Sequence, residues 1–222
     1  MEPGHRPLAR QNETEKQLTT VAEQSGAYQK ITDPVFLTDA GYVTLTLDDG
    51  PSVHTEQLLE ELANKNARAI FFMLGENVAK NPGLARKVAE AGHVIGNHSF
   101  SHPFMTKITA DKAREELERT SRVIEDATGV VPTYFRPPYG AFNESTLLLA
   151  NQLRMKVVMW SADPKDYSFH TARAVYKATD PLLASRKILL LHDLKDATAD
   201  ALPRIIDGIR EKNLKITVKY ED

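Results

Sequence analysis

Hydrophobic and polar positions alternate along residues 42–218 with two distinct periods. Short apolar and β-branched runs predict seven strands, which are Tyr42–Leu47, Ala69–Leu74, Val94–Ile95, Thr133–Phe135, Lys156–Trp160, Lys187–Leu191 and Leu214–Val218. Longer amphipathic stretches between them predict helices near Thr55–Lys65, Pro82–Ala91, Ala110–Thr128, Glu144–Leu153, Thr171–Ala178 and Asp200–Lys212. This alternation predicts an α/β fold with a parallel sheet, and about seven units favour a TIM-like (β/α) barrel over an open doubly wound sheet.

The first 35 residues differ in composition from the rest of the chain. They are polar, of mixed charge and rich in Gln, Glu and Thr, without a sustained apolar period. We interpret residues 1–35 as an N-terminal tail or linker with a possible short helix, and residues 36–222 as one domain. The N-terminus lacks the pattern of a secretion signal. The longest apolar runs, such as Ile188–Leu191, fall far below the ~20 residues that span a bilayer.

Composition narrows the chemistry that this domain can perform. The 28 Lys and Arg residues nearly balance the 30 Asp and Glu residues, so no strong field attracts nucleic acid or an anionic membrane, and a neutral substrate fits better. The chain has no cysteine, which excludes disulfides, thiolate metal sites and cysteine nucleophiles. Any bound metal must therefore be held by His, Asp or Glu.

Two clusters of possible metal ligands follow predicted strands. Asp48 and Asp49 precede Gly50 and could form an ordinary turn, or two carboxylates of which one binds a metal and the other accepts a proton. His98 and His102 are four residues apart, so both imidazoles can reach one ion, although surface or capping histidines can share this spacing. With Asp49 as a third ligand, one coordination position stays open for water, which is typical of a catalytic site and indicates hydrolysis.

A third cluster is the segment Arg136–Gly140. Its two prolines have no N–H, so the N–H of Tyr139 is the first backbone donor after Arg136. This donor could stabilise an oxyanion, and Arg136 could orient a catalytic carboxylate. An ordinary Pro-rich loop with a surface arginine is the alternative.

Two more clusters end later strands. The segment Trp160–Tyr167 carries Asp163 and Asp166 between two aromatic residues, and His192 follows the sixth predicted strand. Acids in loops are usually solvated, and a single histidine after a strand is more often structural than catalytic. All five clusters, however, follow predicted strands, and this is where the active sites of barrels lie.

In order along the chain, these five clusters resemble the five motifs of the polysaccharide deacetylases, the carbohydrate esterase family named for its NodB homology domain. The segments are Thr46–Gly50, His98–His102, Arg136–Gly140, Asp163–Tyr167 and Leu190–His192, with supporting stretches at Ala69–Gly75 and Gly92–Asn97. The resemblance covers roughly Tyr42 to Val218. It implies a distorted (β/α)7 barrel for a catalytic domain at residues 36–222.

The resemblance also implies a role for each matched residue. It assigns one divalent metal ion to Asp49, His98 and His102, with zinc as the first choice and cobalt, nickel or manganese as fitting alternatives. The residues that it places in catalysis are Asp48 as general base, Arg136 as the group that orients this base, Tyr139 as oxyanion donor, His192 as general acid and Asp166 as the carboxylate that tunes the acid. Asp163 lies in the same loop and is the alternative partner of His192. The residues expected to contact substrate are Tyr139, Trp160, Tyr167 and Leu190, the last in a small pocket for the acetyl methyl.

Two positions depart from the family pattern. Leu47 stands where Phe is usual, an exchange that should affect packing only. Tyr167 stands where Trp is usual, which puts the substrate range in doubt.

The function that the resemblance implies is removal of N-acetyl groups from N-acetylglucosamine units in a peptidoglycan or chitin-like polysaccharide, with release of acetate. O-acetyl ester hydrolysis on acetyl-xylan is the second interpretation, and an inactive glycan-binding protein on the same fold is the third. Such polymers would place the protein outside the cell or in its envelope, and a cytoplasmic location is the alternative. The sequence does not indicate an oligomeric state.

Overall fold

The computed structural model describes residues 32–219 of the chain. In this range the parallel sheet consists of β1 (Tyr42–Asp48), β2 (Ile70–Met73), β3 (Val94–Asn97), β4 (Tyr134–Phe135), β5 (Lys156–Val157), β6 (Lys187–His192) and β7 (Lys215–Ile216). The α-helices of the same range are α1 (Thr55–Asn64), α2 (Gly75–Lys80), α3 (Pro82–Glu90), α4 (Ala110–Thr128), α5 (Glu144–Gln152), α6 (Ala172–Thr179) and α7 (Asp196–Glu211). Each of the seven predicted strands is present.

The sheet closes into a distorted barrel. Its strands follow the order β5-β4-β3-β2-β1-β6. The seventh strand, β7, pairs with the first two residues of β1, Tyr42 and Val43, and β2 pairs with β1 from Thr46 onward. After β5 the chain returns to β6, where Ala162 forms a parallel bridge with Leu189. This bridge joins the two ends of the strand order, so the predicted distorted (β/α)7 barrel is confirmed.

The alternation of side chains along β1 decides which residues reach the interior of the barrel. Val43, Leu45 and Leu47 belong to the core that the sheet shares with the surrounding helices. Because successive side chains of a strand point to opposite faces, Thr46 and Asp48 face the interior, where Thr46 accepts a hydrogen bond from a buried arginine and Asp48 lines a cavity. Asp48 is the last residue of β1 and therefore lies at the mouth of the barrel.

Local signals in the sequence explain where several helices begin and end. The side chain of Thr109 accepts a hydrogen bond from the Lys112 N–H at the start of α4, and Gly129 ends that helix in the left-handed conformation with φ of 73°, which glycine adopts without steric cost. Asn143 forms a capping box with Thr146 at the start of α5. These polar caps satisfy backbone groups that a helix end leaves unpaired.

Three of the differences between the structure and the predicted elements have a clear physical reason. The helix α2, Gly75–Lys80, was not predicted, because it has six residues and is too short to show an amphipathic period. The helix α7 begins at Asp196 and runs through Pro203, so the predicted start at Asp200 is one turn late. The strand β5 ends at Val157 and not at Trp160, because the chain beyond it pairs with other partners.

Residues 1–31 of the predicted tail or linker at residues 1–35 lie outside the described residues. Within residues 32–35, Val35 pairs with Val158 of the barrel. Among the helices of residues 32–219, none has the length and apolar character required to cross a membrane.

Candidate metal centre and active site

The three predicted metal ligands converge at the mouth of the barrel. The ligand atoms of Asp49, His98 and His102 lie within 4.8 Å of one another. Oδ1 of Asp49 is 3.4 Å from Nε2 of His98 and 3.4 Å from Nε2 of His102. In the described part of the chain this oxygen is buried without a hydrogen-bond partner. Such an oxygen is costly unless something binds it, and together with two imidazole nitrogens it fits one shared divalent cation.

The surroundings of the three side chains prepare them to bind a cation. Nδ1 of His98 is 2.7 Å from the carbonyl oxygen of Arg136, which can only accept, so we assign the proton to Nδ1 and the free lone pair to Nε2. Burial and the neighbouring His98 lower the pKa of His102 although Asp49 opposes them, which favours the neutral imidazole that metals require. Burial acts to raise the pKa of Asp49, but the two imidazoles outweigh it and lower this pKa.

The neighbouring carboxylate, Asp48, is held by a buried arginine. Oδ1 of Asp48 accepts a hydrogen bond of 2.7 Å from Nη1 of Arg136. Arg136 is 0% exposed and donates further hydrogen bonds to Thr46 Oγ1 (2.7 Å) and to the carbonyl oxygens of Val158 (3.0 Å) and Met159 (2.8 Å). Because these bonds fix the guanidinium plane, it holds Asp48 in one orientation beside the cavity.

A second carboxylate holds His192. Nδ1 of His192 is 2.7 Å from Oδ1 of Asp166, and Oδ2 of Asp166 accepts hydrogen bonds from the His192 N–H (2.9 Å) and Thr198 Oγ1 (2.8 Å). Burial acts to lower the pKa of His192, but the hydrogen bond and charge of Asp166, with smaller contributions from two other carboxylates, raise it to about 9. The imidazole is therefore protonated at neutral pH. Asp163 instead accepts a backbone N–H of its own loop at 2.8 Å.

One cavity of about 690 Å³ connects these groups. The predicted site residues that line it are Asp48, Asp49, His98, His102, Tyr139, Trp160, Tyr167, Leu190 and His192. The Tyr139 ring contacts His102 edge-on at a centroid distance of 4.4 Å, and the Tyr167 ring contacts His192 at 5.2 Å. Both tyrosines are about half exposed at the rim. Within residues 32–219 the Tyr139 N–H has no hydrogen-bond acceptor, so it is available to a ligand.

Several residues at or beside this cavity have left-handed backbone conformations. Asp49, Ser99, His102 and Tyr139 have positive φ angles of 71°, 68°, 59° and 59°, in the left-handed region that residues other than glycine rarely adopt. Such conformations persist where the surrounding structure imposes them, and they are typical of functional sites.

The structure brings all the predicted site residues together, with Arg136 and Asp166 behind the cavity wall. Sequence reasoning did not identify the groups that support them. Thr198 holds Asp166, and buried Asp193 accepts hydrogen bonds from Ser52 Oγ (2.7 Å) and Thr55 Oγ1 (2.6 Å) behind the loop after β1. The only sequence signal for Asp193 is its position after His192.

The sequence is similar to that of a known family and of its members. Residues 37–158 match the family described as Polysaccharide deacetylase. The peptidoglycan-N-acetylglucosamine deacetylase PgdA of Listeria monocytogenes is 34% identical over 171 residues, which make up 77% of this chain and 36% of that protein. The chain thus spans about a third of the length of this relative.

Two solved structures have the same fold. A family 4 carbohydrate esterase from Streptomyces lividans in complex with acetate superposes with a TM-score of 0.76 at 34% identity, covering 81% of this chain and 93% of the esterase. A family 4 pseudoenzyme from Bacillus anthracis superposes with a TM-score of 0.77 at 28% identity, covering 83% of this chain and 66% of that protein. The fold therefore occurs both with and without catalytic activity.

Proposed function

Because this chain belongs to the polysaccharide deacetylase family, we propose that it is a metal-dependent hydrolase that removes N-acetyl groups from N-acetylglucosamine units of a polysaccharide. One observation carries this proposal. Asp48 and His192 are Cα partners across β1 and β6, and both line the cavity that contains the three candidate metal ligands. A proton acceptor and a proton donor thus lie beside one cation site, which is the arrangement that amide hydrolysis needs.

Asp49, His98 and His102 would hold the ion, and we propose zinc. Their buried oxygen without a partner in the described residues and two imidazole nitrogens suit a borderline divalent cation, and cobalt, nickel or manganese would suit the same donors. When bound, such a cation polarises the acetyl carbonyl and makes water more acidic. With only three protein ligands, the site would stay open to substrate and water.

The remaining steps belong to side chains and backbone of this protein. Asp48, oriented by Arg136, accepts a proton from the water that attacks the acetyl carbon. The Tyr139 N–H donates a hydrogen bond to the carbonyl oxygen as it becomes negative. His192 then donates its proton to the sugar nitrogen while the carbon–nitrogen bond breaks, because an amine leaves poorly as an anion. The products are acetate and a free amino sugar.

The cavity suits an acetylated sugar in a polymer. Leu190 is buried in its wall and offers an apolar surface to the acetyl methyl. Tyr139 and Tyr167 expose about half of their surface at the rim, where an aromatic ring with a hydroxyl group suits the apolar face and polar edge of a sugar. Because the Listeria relative carries the name of a peptidoglycan deacetylase, we place peptidoglycan first among the substrates, and the cell envelope first among the locations.

The test is acetate release from peptidoglycan, chitin oligomers and acetyl-xylan, with zinc or cobalt added and with a chelator as control. We expect release from an N-acetylated polymer that stops with the chelator and returns with the metal. Faster release from acetyl-xylan would favour the ester interpretation. A metal-loaded protein that releases acetate from none of these substrates would overturn the proposal and favour an inactive glycan-binding protein.

A further inference from the structure

The loop between the two histidine ligands is held by a carboxylate that lies outside all five motifs. We infer that Glu116 of α4 is a positioning residue for the metal centre, and this inference rests on the proposed metal-dependent function. Its carboxylate fixes the backbone of Phe100 and Ser101, which connect His98 to His102. Glu116 is thus assigned an effect on metal affinity, although it contacts neither the metal ligands' side chains nor the cavity.

The loop needs outside support because its backbone is strained. Ser99 and His102 have φ angles of 68° and 59°, in a region that is unfavourable for residues with a side chain. A loop of this kind keeps one conformation only when its surroundings satisfy its polar groups. The conformation matters because it decides whether the second imidazole points at Asp49.

Glu116 satisfies the donors of this loop. Its Oε2 accepts hydrogen bonds of 2.8 Å from the N–H of Phe100 and 2.8 Å from the N–H of Ser101. Its Oε1 accepts a third bond, of 2.9 Å, from Ser101 Oγ. Glu116 is only 3% exposed, and burial of a carboxylate is unfavourable unless donors compensate it. The three loop donors provide this compensation together with Nζ of Lys112, which lies 3.9 Å from Oε1.

The carbonyl groups of the same loop are held from the other side by α2. The N–H groups of Gly75 and Glu76, at the start of that helix, donate to the carbonyl oxygens of Ser99 (3.0 Å) and Phe100 (3.1 Å). A Cβ atom on Gly75 would lie 2.5 Å from the Phe100 ring, so the helix and the loop are in close contact. The loop is therefore clamped between α2, which binds its acceptors, and Glu116, which binds its donors.

The residue before the first histidine extends this clamp. Oδ1 of Asn97 accepts the Ser99 N–H at 2.8 Å. Nδ2 of Asn97 donates to the carbonyl oxygen of Leu117 at 2.8 Å and to Ser121 Oγ at 3.0 Å. Both acceptors lie on α4, one and five residues after Glu116. Residues of α4 thus hold Asn97, just before the first histidine, and Phe100 and Ser101, just before the second.

The geometry separates the hydrogen bonds of Glu116 from its charge. In Glu116→Gln the amide oxygen can accept the Phe100 and Ser101 N–H groups, while the amide nitrogen donates to Ser101 Oγ, so all three bonds are preserved. In Glu116→Ala all three are lost. If the role is positioning, the glutamine variant should behave like the unaltered protein and the alanine variant should not.

The test measures binding of Co²⁺ to the protein by titration and by the visible absorption of the bound ion, which depends on coordination geometry. We expect Glu116→Ala to bind Co²⁺ about tenfold or more weakly, with a changed spectrum, and Glu116→Gln to stay within about threefold of the unaltered protein. Ile124→Ala is the matched control, because it shortens a fully buried side chain two turns along the same helix. It should lower stability without changing the affinity or the spectrum.

Wild-type affinity and spectrum in Glu116→Ala would overturn the inference, and so would an equal loss of affinity in Ile124→Ala. If Glu116→Ala does not fold, Ser101→Ala decides, because it removes one of the three bonds: a loss of about threefold supports the inference, and unchanged affinity contradicts it. If the unaltered protein binds no divalent metal, the proposed function fails, and this inference fails with it.

Discussion

Asp48 and Asp49 are neighbours in the sequence, yet their surroundings give them different chemistry. Asp48 accepts a hydrogen bond from Arg136, whereas Oδ1 of Asp49 has no donor in the described part of the chain and faces two imidazoles. Asp49 also has a φ of 71°, and this left-handed backbone turns its side chain away from the direction that a regular strand would give it. Two adjacent carboxylates can therefore serve as a proton acceptor and a metal ligand.

Replacing Asp48 with Asn tests this division. The amide oxygen can still accept the Arg136 hydrogen bond, but the side chain can no longer accept a proton. We expect acetate release to fall by about 10²- to 10⁴-fold while the metal still binds with near-normal affinity, as measured by metal titration of the same sample. Retention of most of the activity would show that Asp48 is not the base.

The protonation of His192 sets an expected pH dependence. With a pKa of about 9, His192 is protonated below this pH and can act as an acid there, so activity should decline as the pH rises through about 9. The same protonation stabilises the folded state fully below the ordinary pKa of about 6.5, and this contribution is lost as the pH rises to about 9.

Asp166→Asn should move this decline. The substitution removes the negative charge 2.7 Å from Nδ1 of His192, so the pKa of the imidazole falls towards its ordinary value. We expect the alkaline decline of kcat/KM to shift to lower pH, as seen in a pH–rate profile measured at constant metal loading. Asp163→Asn is the control, because Asp163 hydrogen-bonds within its own loop, and its profile should keep the original alkaline limb. If the alkaline decline of kcat/KM in Asp166→Asn stays at its original pH, the assignment of His192 as the acid is contradicted.

At the scale of elements, β6 is tied to the loop after β1 by Asp193. This residue is 0% exposed, and it accepts hydrogen bonds from Ser52 Oγ and Thr55 Oγ1. Burial raises the pKa of Asp193, although the two hydroxyl donors oppose the change. A Cβ atom on Gly50 would lie 2.4 Å from Oδ2 of Asp193, so the loop that follows Asp48 and Asp49 packs directly on this side chain.

Asp193→Ala should therefore weaken the contact between the end of β6 and the loop after β1. The buried hydroxyl of Thr55 and the partly buried hydroxyl of Ser52 would lose their acceptor, so we expect the free energy of unfolding to fall by roughly 2 kcal/mol. Asp193→Asn keeps one acceptor and should cost less. Urea unfolding followed by the fluorescence of Trp160, the single tryptophan, measures both variants. Equal stability of Asp193→Ala and the unaltered protein would show that these hydrogen bonds contribute little to the free energy of unfolding.

The elements also show what the sequence could and could not predict. The strands were predictable because each depends on a short local pattern, such as the alternation in β1. The spacing of His98 and His102 left a metal site and surface histidines both open, and only the resemblance to a known family assigned them to one candidate triad with Asp49. The contact of Glu116 with the ligand loop was not predictable, because Glu116 lies in a run of charged helix residues next to Glu115 and only the packing of α4 distinguishes them. The short helix α2 was missed for a different reason, because its six residues are too few to show an amphipathic period.

At the scale of the whole molecule, the three candidate metal ligands come from separate parts of the barrel. Asp49 follows β1, His98 follows β3, and His102 ends a loop that α2 and α4 hold. A cation bound by these three side chains joins elements that are distant in the sequence. Because the unfolded chain does not hold the three ligands together, binding should favour the folded state.

This coupling predicts a thermal shift. At a free metal concentration about 100 times Kd, binding to the folded state contributes about 2.7 kcal/mol, which for a chain of this size corresponds to a rise in Tm of about 5 to 10 °C. Differential scanning fluorimetry with zinc or cobalt measures the rise, and a chelator should reverse it. Asp49→Ala removes the buried oxygen that faces both imidazoles, so its Tm should not respond to the same metal. An equal rise in this variant would contradict the assignment of Asp49 as a ligand, since the stabilising ion would then bind without this carboxylate.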